Sequence, residues 1–495
     1  MPEESLWHWI DGERYSGAQA RTAPVTDPAR GKVIRHVPLA SPDEVARAVD
    51  SARRAFESWS ATSLSRRTRV LFRFRELLER SVDRVAALIT EENGKTLDDA
   101  RGEIQRGLEV VEFAAGVPTH LLGGHSDEVS TGVEAFSVRE PLGVIASISP
   151  FNFPAMVPLW THPVAIATGN TVVLKPSERV PSAALVLAQL WQEAGLPDGV
   201  FNVVHGDRTA VEALVTHPDV AGVSFVGSTP AARHVAQIAG AEGKRVQALG
   251  GAKNHAVVLP DADLAAAADH LTAAACGSAG QRCMAVSVAI AVGGCADELA
   301  DLLQQRMRAV VVGPGHAAGS QIGPLISAEA RDRVVRAVAA APGQGAKILL
   351  DGRETTDIDR EGYFFGPTLV DHVTEAADVY REELFGPVLC LVRTETLDDA
   401  IDLINRNPYG NGTAIFTGSG AAAHRFRRRV HVGMIGVNVP IPVPVAYYSF
   451  GGWNDSLFGE HKVYGPDGIR FYTREKAITQ RWFDAPAVYH FPTSS

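Results

Sequence analysis

The chain has 495 residues, of which 45% are hydrophobic and 21% charged, a composition that predicts two or three folded domains with large cores. Its formal net charge of −10 argues against a basic surface for nucleic acid or anionic membranes. The four cysteines form no Cys-x-x-Cys pair and no cluster at metal-ligand spacing, so we expect no metal site. A reduced, cytoplasmic protein without a targeting or membrane-spanning segment is therefore expected.

Helices are predicted first along the chain. The segment Ser41-Pro42-Asp43-Glu44 matches a capping box with proline at the first helical position, which predicts a helix over 43–59. Apolar residues at helical spacing from Arg66 to about Glu92 predict a second, longer helical region. Gly94 is expected to end it.

From Gly143 the sequence alternates between short β-branched runs and helical segments. The predicted strands are 143–149, 171–175, 200–204, 222–226 and 245–249, and the predicted helices between them are 153–168, 182–194, 209–217 and 229–240. This alternation predicts right-handed βαβ units and a doubly wound parallel sheet. A ligand is expected at the carboxyl ends of the strands.

A second α/β series begins near His255. It includes the apolar runs 345–350, 388–393, 412–417 and 433–438. Two α/β domains with a cleft between them are therefore expected. The prolines within 437–444 predict a rigid extended loop. The segments 120–141 and beyond about 470 fall outside both series and are candidate edge or interface strands.

Cys283 lies in a setting that suits a nucleophile. The turn-forming segment 277–280 interrupts an Ala-rich helical run, polar Gln281-Arg282 directly precedes Cys283, and a predicted buried strand follows from Met284 to Val292. A reactive thiolate needs such an irregular, polar environment. The alternative is an ordinary buried thiol, which is the interpretation that we favour for Cys276.

Six motifs then occur in an order typical of one superfamily. They are ISPFNFP (148–154), LKPSE (174–178), FVGS (225–228), AGQRC (279–283), EELFGPV (382–388) and PYGNGTAIFT (408–417). Together they resemble the aldehyde dehydrogenase superfamily over nearly the whole chain. The resemblance implies an α/β fold with a Rossmann-type NAD-binding domain (1–121 and 142–250), an α/β catalytic domain (251–464) and a small oligomerisation flap (122–141 and 465–495).

The resemblance also implies a catalytic pair. Cys283 matches the nucleophile, and Asn152 matches an asparagine whose amide, with the Cys283 N–H, holds the oxyanion formed on attack. One such donor typically contributes about 2.7–4 kcal/mol to transition-state stabilisation. Without the resemblance, Asn152 could simply bend a loop.

Cofactor contacts are implied in the same way. The matching residues are Phe151, Lys175, Glu178, Gly227, Ser228, Glu383 and Phe385. Lys175 and Glu178 match the pair that holds the adenosine ribose, where a carboxylate would repel a 2′-phosphate and so favour NAD over NADP. Gly227 and Ser228 stand at a strand-to-helix turn that suits a diphosphate.

Three further segments resemble the coenzyme A-acylating methylmalonate-semialdehyde dehydrogenase branch. They are ALGGAKNH (248–255), GQRCMA (280–285) and GVNVPIPVPV (436–445). Ala248 replaces the glutamate with which hydrolytic relatives activate water, so the thioester would wait for the thiolate of coenzyme A. Arg106 and Arg282 match two arginines that hold a substrate carboxylate, although a helical arginine such as Arg106 is often solvated.

The implied activity is NAD-dependent oxidation of malonate or methylmalonate semialdehyde. Decarboxylation and acyl transfer to coenzyme A would give acetyl-CoA or propionyl-CoA. A hydrolytic aldehyde dehydrogenase and a non-catalytic binding relative are the alternatives. The resemblance further implies a homodimer or homotetramer, and we expect neither nucleic acid nor membrane as a partner.

Overall fold

A computed structural model of the protein describes residues 4–17, 21–355 and 361–482. The end of the predicted flap, 483–495, lies outside the described residues. The helices are α1 Pro42–Ser60, α2 Leu64–Arg80, α3 Val82–Asn93, α4 Leu97–Ala115, α5 Met156–Ala167, α6 Ser182–Glu193, α7 Arg208–Thr216, α8 Thr229–Ala241, α9 Leu264–Cys276, α10 Ala296–Arg308, α11 Ala328–Ala340, α12 Asp378–Arg381, α13 Leu397–Arg406, α14 Gly420–Arg429 and α15 Gly465–Tyr472.

The strands form two large and several small sheets. They are β1 Glu4–Ser5, β2 His8–Ile10, β3 Glu13–Tyr15, β4 Thr22–Asp27, β5 Lys32–Pro38, β6 His125–Ser130, β7 Val133–Pro141, β8 Val144–Ile148, β9 Thr171–Lys175, β10 Phe201–Val203, β11 Val220–Val226, β12 Arg245–Leu249, β13 Asn254–Val258, β14 Val286–Val292, β15 Lys347–Leu350, β16 Thr368–Asp371, β17 Val388–Thr394, β18 Tyr409–Gly410, β19 Gly412–Phe416, β20 Met434–Val437, β21 Trp453–Asn454, β22 Leu457–Phe458 and β23 Thr473–Gln480.

The first helices follow their sequence signals with one correction. In α1 the Ser41 hydroxyl accepts from the Glu44 N–H and the Glu44 carboxylate accepts from the Ser41 N–H, as a capping box predicts. The helical region expected over 66–92 is confirmed, but it consists of two helices, because Ser81 (φ −99°, ψ 3°) separates α2 from α3. Gly94, at φ +89°, ends α3 as predicted.

The first large sheet has the order β22-β12-β11-β8-β9-β10-β2-β3. Its five central strands, β8 to β12, are parallel and confirm the strands predicted between 143 and 249. The chain runs outward from β8 through β9 to β10 and then returns to add β11 and β12 on the other side. The strand order therefore reverses between β8 and β11, and a crevice opens at their carboxyl ends.

The second large sheet has the order β15-β16-β17-β14-β13-β19-β20. All pairs from β16 to β20 are parallel, whereas β15 is antiparallel. The runs predicted near 388, 412 and 433 are strands of this sheet. The strand β16 was not expected, since four residues between turns carry too weak a pattern.

A separate three-stranded sheet has the order β23-β7-β6. Its long antiparallel ladder joins all eight residues of β23 to β7, from Thr473 opposite Pro141 to Gln480 opposite Glu134. The two segments predicted as edge or interface strands therefore pair with each other. Among the described residues, no helix is both long and apolar enough to cross a membrane.

Candidate active site

A groove of about 750 Å³ lies where the two large sheets meet. The residues predicted for catalysis and cofactor binding all line it: Phe151, Asn152, Lys175, Glu178, Gly227, Ser228, Cys283, Glu383 and Phe385. The first sheet contributes loops from the carboxyl ends of its strands. The second sheet contributes residues that precede its parallel strands β14 and β17, as the position of Cys283 before a predicted strand indicated.

One end of the groove combines a buried cation with a carboxylate. Lys175 is the last residue of β9, and its Nζ donates to Gly206 O at 2.7 Å and to Glu178 Oε2 at 3.4 Å. Burial lowers the pKa of Lys175, and the neighbouring Glu178 opposes that shift. A fixed ammonium beside a partly exposed carboxylate can bind the hydroxyl groups of a ribose.

The middle of the groove is the start of α8. Gly227 and Ser228 follow β11 at the point where the strand order reverses. Within the described part of the chain, the Ser228 side chain caps none of the first N–H groups of α8. Uncapped N–H groups and the helix dipole favour a bound anion such as a diphosphate.

At the far end, Glu383 and Phe385 stand beside Cys283. The Glu383 carboxylate accepts from the Ala252 N–H at 2.9 Å, and burial raises the pKa of this carboxyl group. The rings of Phe385 and Phe151 meet edge to face, with centroids 5.9 Å apart. The groove thus presents a ribose-binding pair, an anion-binding helix start and a second carboxylate, which together fit a dinucleotide.

The loop before Cys283 has an unusual backbone. Helix α9 ends at Cys276, and Ser278 and Ala279 then adopt φ values of 51° and 53°, a region that residues other than glycine rarely adopt. Gly280 continues at φ 71°, where an added Cβ would lie 2.1 Å from Gly386 O. The predicted irregular setting of Cys283 is confirmed.

Cys283 itself is held through its carbonyl oxygen. This atom accepts from Asn254 Nδ2 at 2.9 Å and from Asn411 Nδ2 at 3.0 Å. The two asparagines stand at the amino ends of the neighbouring strands β13 and β19. We did not identify them from the sequence, although both lie within the quoted motifs.

Cys283 as a whole residue is partly exposed, yet burial of its thiol raises the pKa of Cys283 to about 12. The Glu383 carboxylate raises this pKa further, while nearby backbone N–H groups and the Arg282 guanidinium lower it. The resting thiol is therefore protonated at neutral pH. Cys276 is only 2% exposed and also has a pKa of about 12 through burial, as expected for an inert thiol.

The two predicted carboxylate-binding arginines have partners of their own. Arg282 forms an ion pair with Asp99, and its Nε donates to the Ser278 hydroxyl at 3.3 Å. Arg106 pairs with Glu109 one helical turn away, at 2.9 Å, and lies within electrostatic range of the buried Tyr464. Their binding to a substrate carboxylate stays a prediction.

Tyr464 is a buried residue that the sequence analysis did not single out. It is 2% exposed, has a strained φ of 39°, and its hydroxyl donates to Pro444 O at 3.2 Å. Burial raises its pKa, and the charges that act on it include those of Arg106 and Cys283. Tyr464 therefore lies within electrostatic range of both Arg106 and Cys283.

Ala248 lies in the middle of the ladder beside the groove. It is fully buried in β12 and pairs with Phe225 and Phe458. The described residues that line the groove include Gly250 and Gly251, which follow this strand, but not Ala248. No carboxylate projects from this strand position toward the thiol.

Comparison with known proteins defines the class. The model of the aldehyde dehydrogenase family matches residues 15–478. The chain therefore belongs to the aldehyde dehydrogenase family, as its motifs predicted.

Its relatives include two curated malonate-semialdehyde dehydrogenases. The protein from Pseudomonas aeruginosa is 52% identical over 480 residues, which cover 97% of this chain and 96% of the relative. Malonate-semialdehyde dehydrogenase 1 of Geobacillus thermodenitrificans is 46% identical over 479 residues, covering 97% of this chain and 99% of the relative.

Solved structures of similar fold carry related names. The crystal structure of methylmalonate-semialdehyde dehydrogenase from Oceanimonas doudoroffii has a TM-score of 0.96 and 50% identity, and the match covers 97% of this chain and 99% of that one. A Sinorhizobium meliloti protein assigned to the methylmalonate-semialdehyde dehydrogenases, solved with NAD, has a TM-score of 0.96 and 46% identity. That match covers 98% of this chain and 99% of the other.

Proposed function

We propose that this enzyme oxidises malonate or methylmalonate semialdehyde with NAD and transfers the decarboxylated acyl group to coenzyme A. The observation that supports this most is the pairing of Cys283 and Asn152 in one dinucleotide-sized groove, beside a strand that carries Ala248. The names of the relatives agree with the substrate class. The cytoplasm is the proposed location.

The first step is addition of the Cys283 sulfur to the aldehyde carbon, as the thiol gives up its proton to water. The developing oxyanion accepts hydrogen bonds from the Asn152 amide and the Cys283 N–H. Lys175, Glu178, Gly227, Ser228 and Glu383 hold NAD, which when bound accepts the hydride. The product is a thioester on Cys283.

Release of the acyl group follows. The thioester of a malonate-type acid loses carbon dioxide, and the resulting carbanion takes up a proton. The thiolate of coenzyme A then attacks the thioester carbonyl and expels the Cys283 thiolate. Hydrolysis is slow because Ala248 supplies no general base.

A stopped-flow measurement of NADH tests this function. Without coenzyme A, malonate semialdehyde should give a burst of about one NADH per active site, followed by slow turnover because thioester hydrolysis is unassisted. Added coenzyme A should raise the steady rate and yield acetyl-CoA. A steady rate as fast without coenzyme A, with a free acid as product, would contradict acyl transfer.

We further propose a homodimer or homotetramer whose subunits join through the sheet β6-β7-β23. The sheet supports this, because its ladder from β23 to β7 is eight residues long and an outer strand edge of such a sheet is a template for pairing with a second copy. Removal of 473–495 should expose β7 and give monomers or insoluble protein, as measured by light scattering after size exclusion. A stable, active monomer would contradict the proposal.

A further inference from the structure

A buried ion pair stands directly behind the loop that carries Asn152. Lys95 follows Gly94 at the end of α3, and Glu103 lies within α4. Their side chains are 1% and 0% exposed. Neither lines the groove as described, so any effect on chemistry must pass through other residues.

The Lys95 ammonium group contacts both this loop and Glu103. Its Nζ donates to Asn152 O at 2.6 Å and to Glu103 Oε2, and it stands 4.3 Å from the centre of the Phe153 ring. Asn93 Nδ2 donates to the preceding carbonyl, Phe151 O, at 3.0 Å. Two consecutive peptide groups around Asn152 are therefore fixed from the end of α3.

Glu103 fixes the other end of the loop. Its Oε1 accepts from Ala155 N at 2.9 Å and from Met156 N at 3.2 Å, at the start of α5. Ala155 is the N-cap residue of α5 and has no side-chain oxygen to cap the helix. The Glu103 carboxylate caps the helix instead, and its negative charge is favourable at a helix N-terminus.

Stability alone is a weak reason for this arrangement. A buried ion pair often contributes no more than apolar residues of the same volume, because removing two charges from water opposes their attraction. What the pair supplies here is geometry. An oxyanion donor must lie about 2.7–3.1 Å from the oxygen, and a displacement of about 1 Å lowers rates up to roughly 100-fold.

We propose that Lys95 and Glu103 are positioning residues, which set the Asn152 amide against the oxyanion on the Cys283 adduct. This role rests on the proposed function only as far as thiol addition to an aldehyde. The pair touches neither substrate nor cofactor. It acts through the backbone of residues 151–156.

A double-mutant cycle tests the positioning role. The first-order rate constant of the NADH burst is measured for the wild type, Lys95→Met, Asn152→Ala and the double variant. We expect Lys95→Met to lower it about 10- to 100-fold and Asn152→Ala about 10²- to 10³-fold. In the Asn152→Ala background, Lys95→Met should add less than about a threefold loss, since the group that it positions is gone.

Lys253 offers a matched control. It is a buried lysine whose Nζ donates to two carbonyls, Val379 O and Glu382 O, each at 2.7 Å, beside Glu383. Lys253→Met should therefore weaken NAD binding, and its effect on the burst should multiply with that of Asn152→Ala. Lys95→Met should change the NAD dissociation constant by less than about twofold, since its contacts lie behind the loop.

Two results would overturn the positioning role: an unchanged burst rate in Lys95→Met, or losses that multiply with those of Asn152→Ala. If Lys95→Met does not fold, Glu103→Gln keeps an oxygen for the Ala155 and Met156 N–H groups and should show the same coupling with a smaller loss. Propanal is used beside malonate semialdehyde, because its burst needs neither decarboxylation nor coenzyme A. Failure of acyl transfer is thus distinct from failure of the positioning role.

Discussion

The two sides of Cys283 are built in different ways. On the side where we propose that NAD binds, Asn152, Lys175 and Gly227 each stand at or just beyond the carboxyl end of a parallel strand. On the side where we propose that the substrate carboxylate binds, Arg106 belongs to α4, and Tyr464, on which the charges of Arg106 and Cys283 act, directly precedes α15. The first side follows from sheet topology, whereas the second depends on how helices and loops pack over it.

The two sides also act on the thiol with opposite charge. Glu383, on the cofactor side, raises the pKa of Cys283, and Arg282, before the thiol, lowers it. Arg282 is itself neutralised in part by Asp99. The nucleophile therefore lies between an anionic and a cationic group, and variants on each side should separate their effects.

The largest expected effect is at Cys283, which lies between the two sides. Cys283→Ala should abolish NADH formation, since Cys283 is the only cysteine among the described residues that line the groove, while NAD binding measured by fluorescence titration should stay close to wild type. Cys276→Ala is the control, because that thiol is buried behind the loop. Comparable losses of NADH formation in both variants would show that Cys283 is the wrong assignment for the nucleophile.

The next prediction concerns the substrate side. Arg106→Leu should weaken use of malonate semialdehyde far more than use of propanal, because it leaves the substrate carboxylate unpaired, a loss of typically about 2–5 kcal/mol. The measurement is the ratio of kcat/KM for the two aldehydes.

Arg282→Leu supplies the comparison. It also removes the ion-pair partner of Asp99 and the hydrogen bond from Arg282 Nε to the Ser278 hydroxyl, so we expect losses with both aldehydes. Equal losses with both aldehydes in Arg106→Leu would mean that Arg106 does not bind the carboxylate.

The sequence predictions succeeded where local sequence determines the structure and failed where the packing of helices and loops determines it. The five strands from β8 to β12 and the groove residues after them were predictable, because βαβ alternation and motif position are local properties. The break at Ser81, the unpredicted β16 and the Asp99 partner of Arg282 depend on tertiary contacts. Lys95 was missed for that reason, since its partner Glu103 is recognisable only once α4 packs against α5.

A smaller effect is expected at the adenosine end of the groove. Glu178→Gln should raise the ratio of NADP to NAD efficiency by about tenfold, because it removes one negative charge from the expected place of a 2′-phosphate. Glu382→Gln is the control, as an exposed carboxylate that lines the same groove. A ratio unchanged in Glu178→Gln, or changed equally in both variants, would contradict the ribose assignment.

The smallest effect concerns the protonation of Cys283 in the cofactor-free enzyme. Only the thiolate reacts with iodoacetamide, and below a pKa of about 12 the thiolate fraction rises tenfold per pH unit. The alkylation rate of Cys283, followed by mass spectrometry, should therefore rise about tenfold from pH 8 to pH 9. A plateau below pH 9 would contradict the raised pKa.

Variants on the two sides should shift this rate in opposite directions. Glu383→Gln removes an anion that destabilises the thiolate, so alkylation at pH 8 should become a few-fold faster. Arg282→Leu removes a cation that stabilises it and leaves Asp99 unpaired, so alkylation should become slower. Iodoacetamide is uncharged, and the variants therefore report on the thiol rather than on attraction of the reagent. Shifts in the same direction would show that access to the thiol, and not charge, separates the two sides.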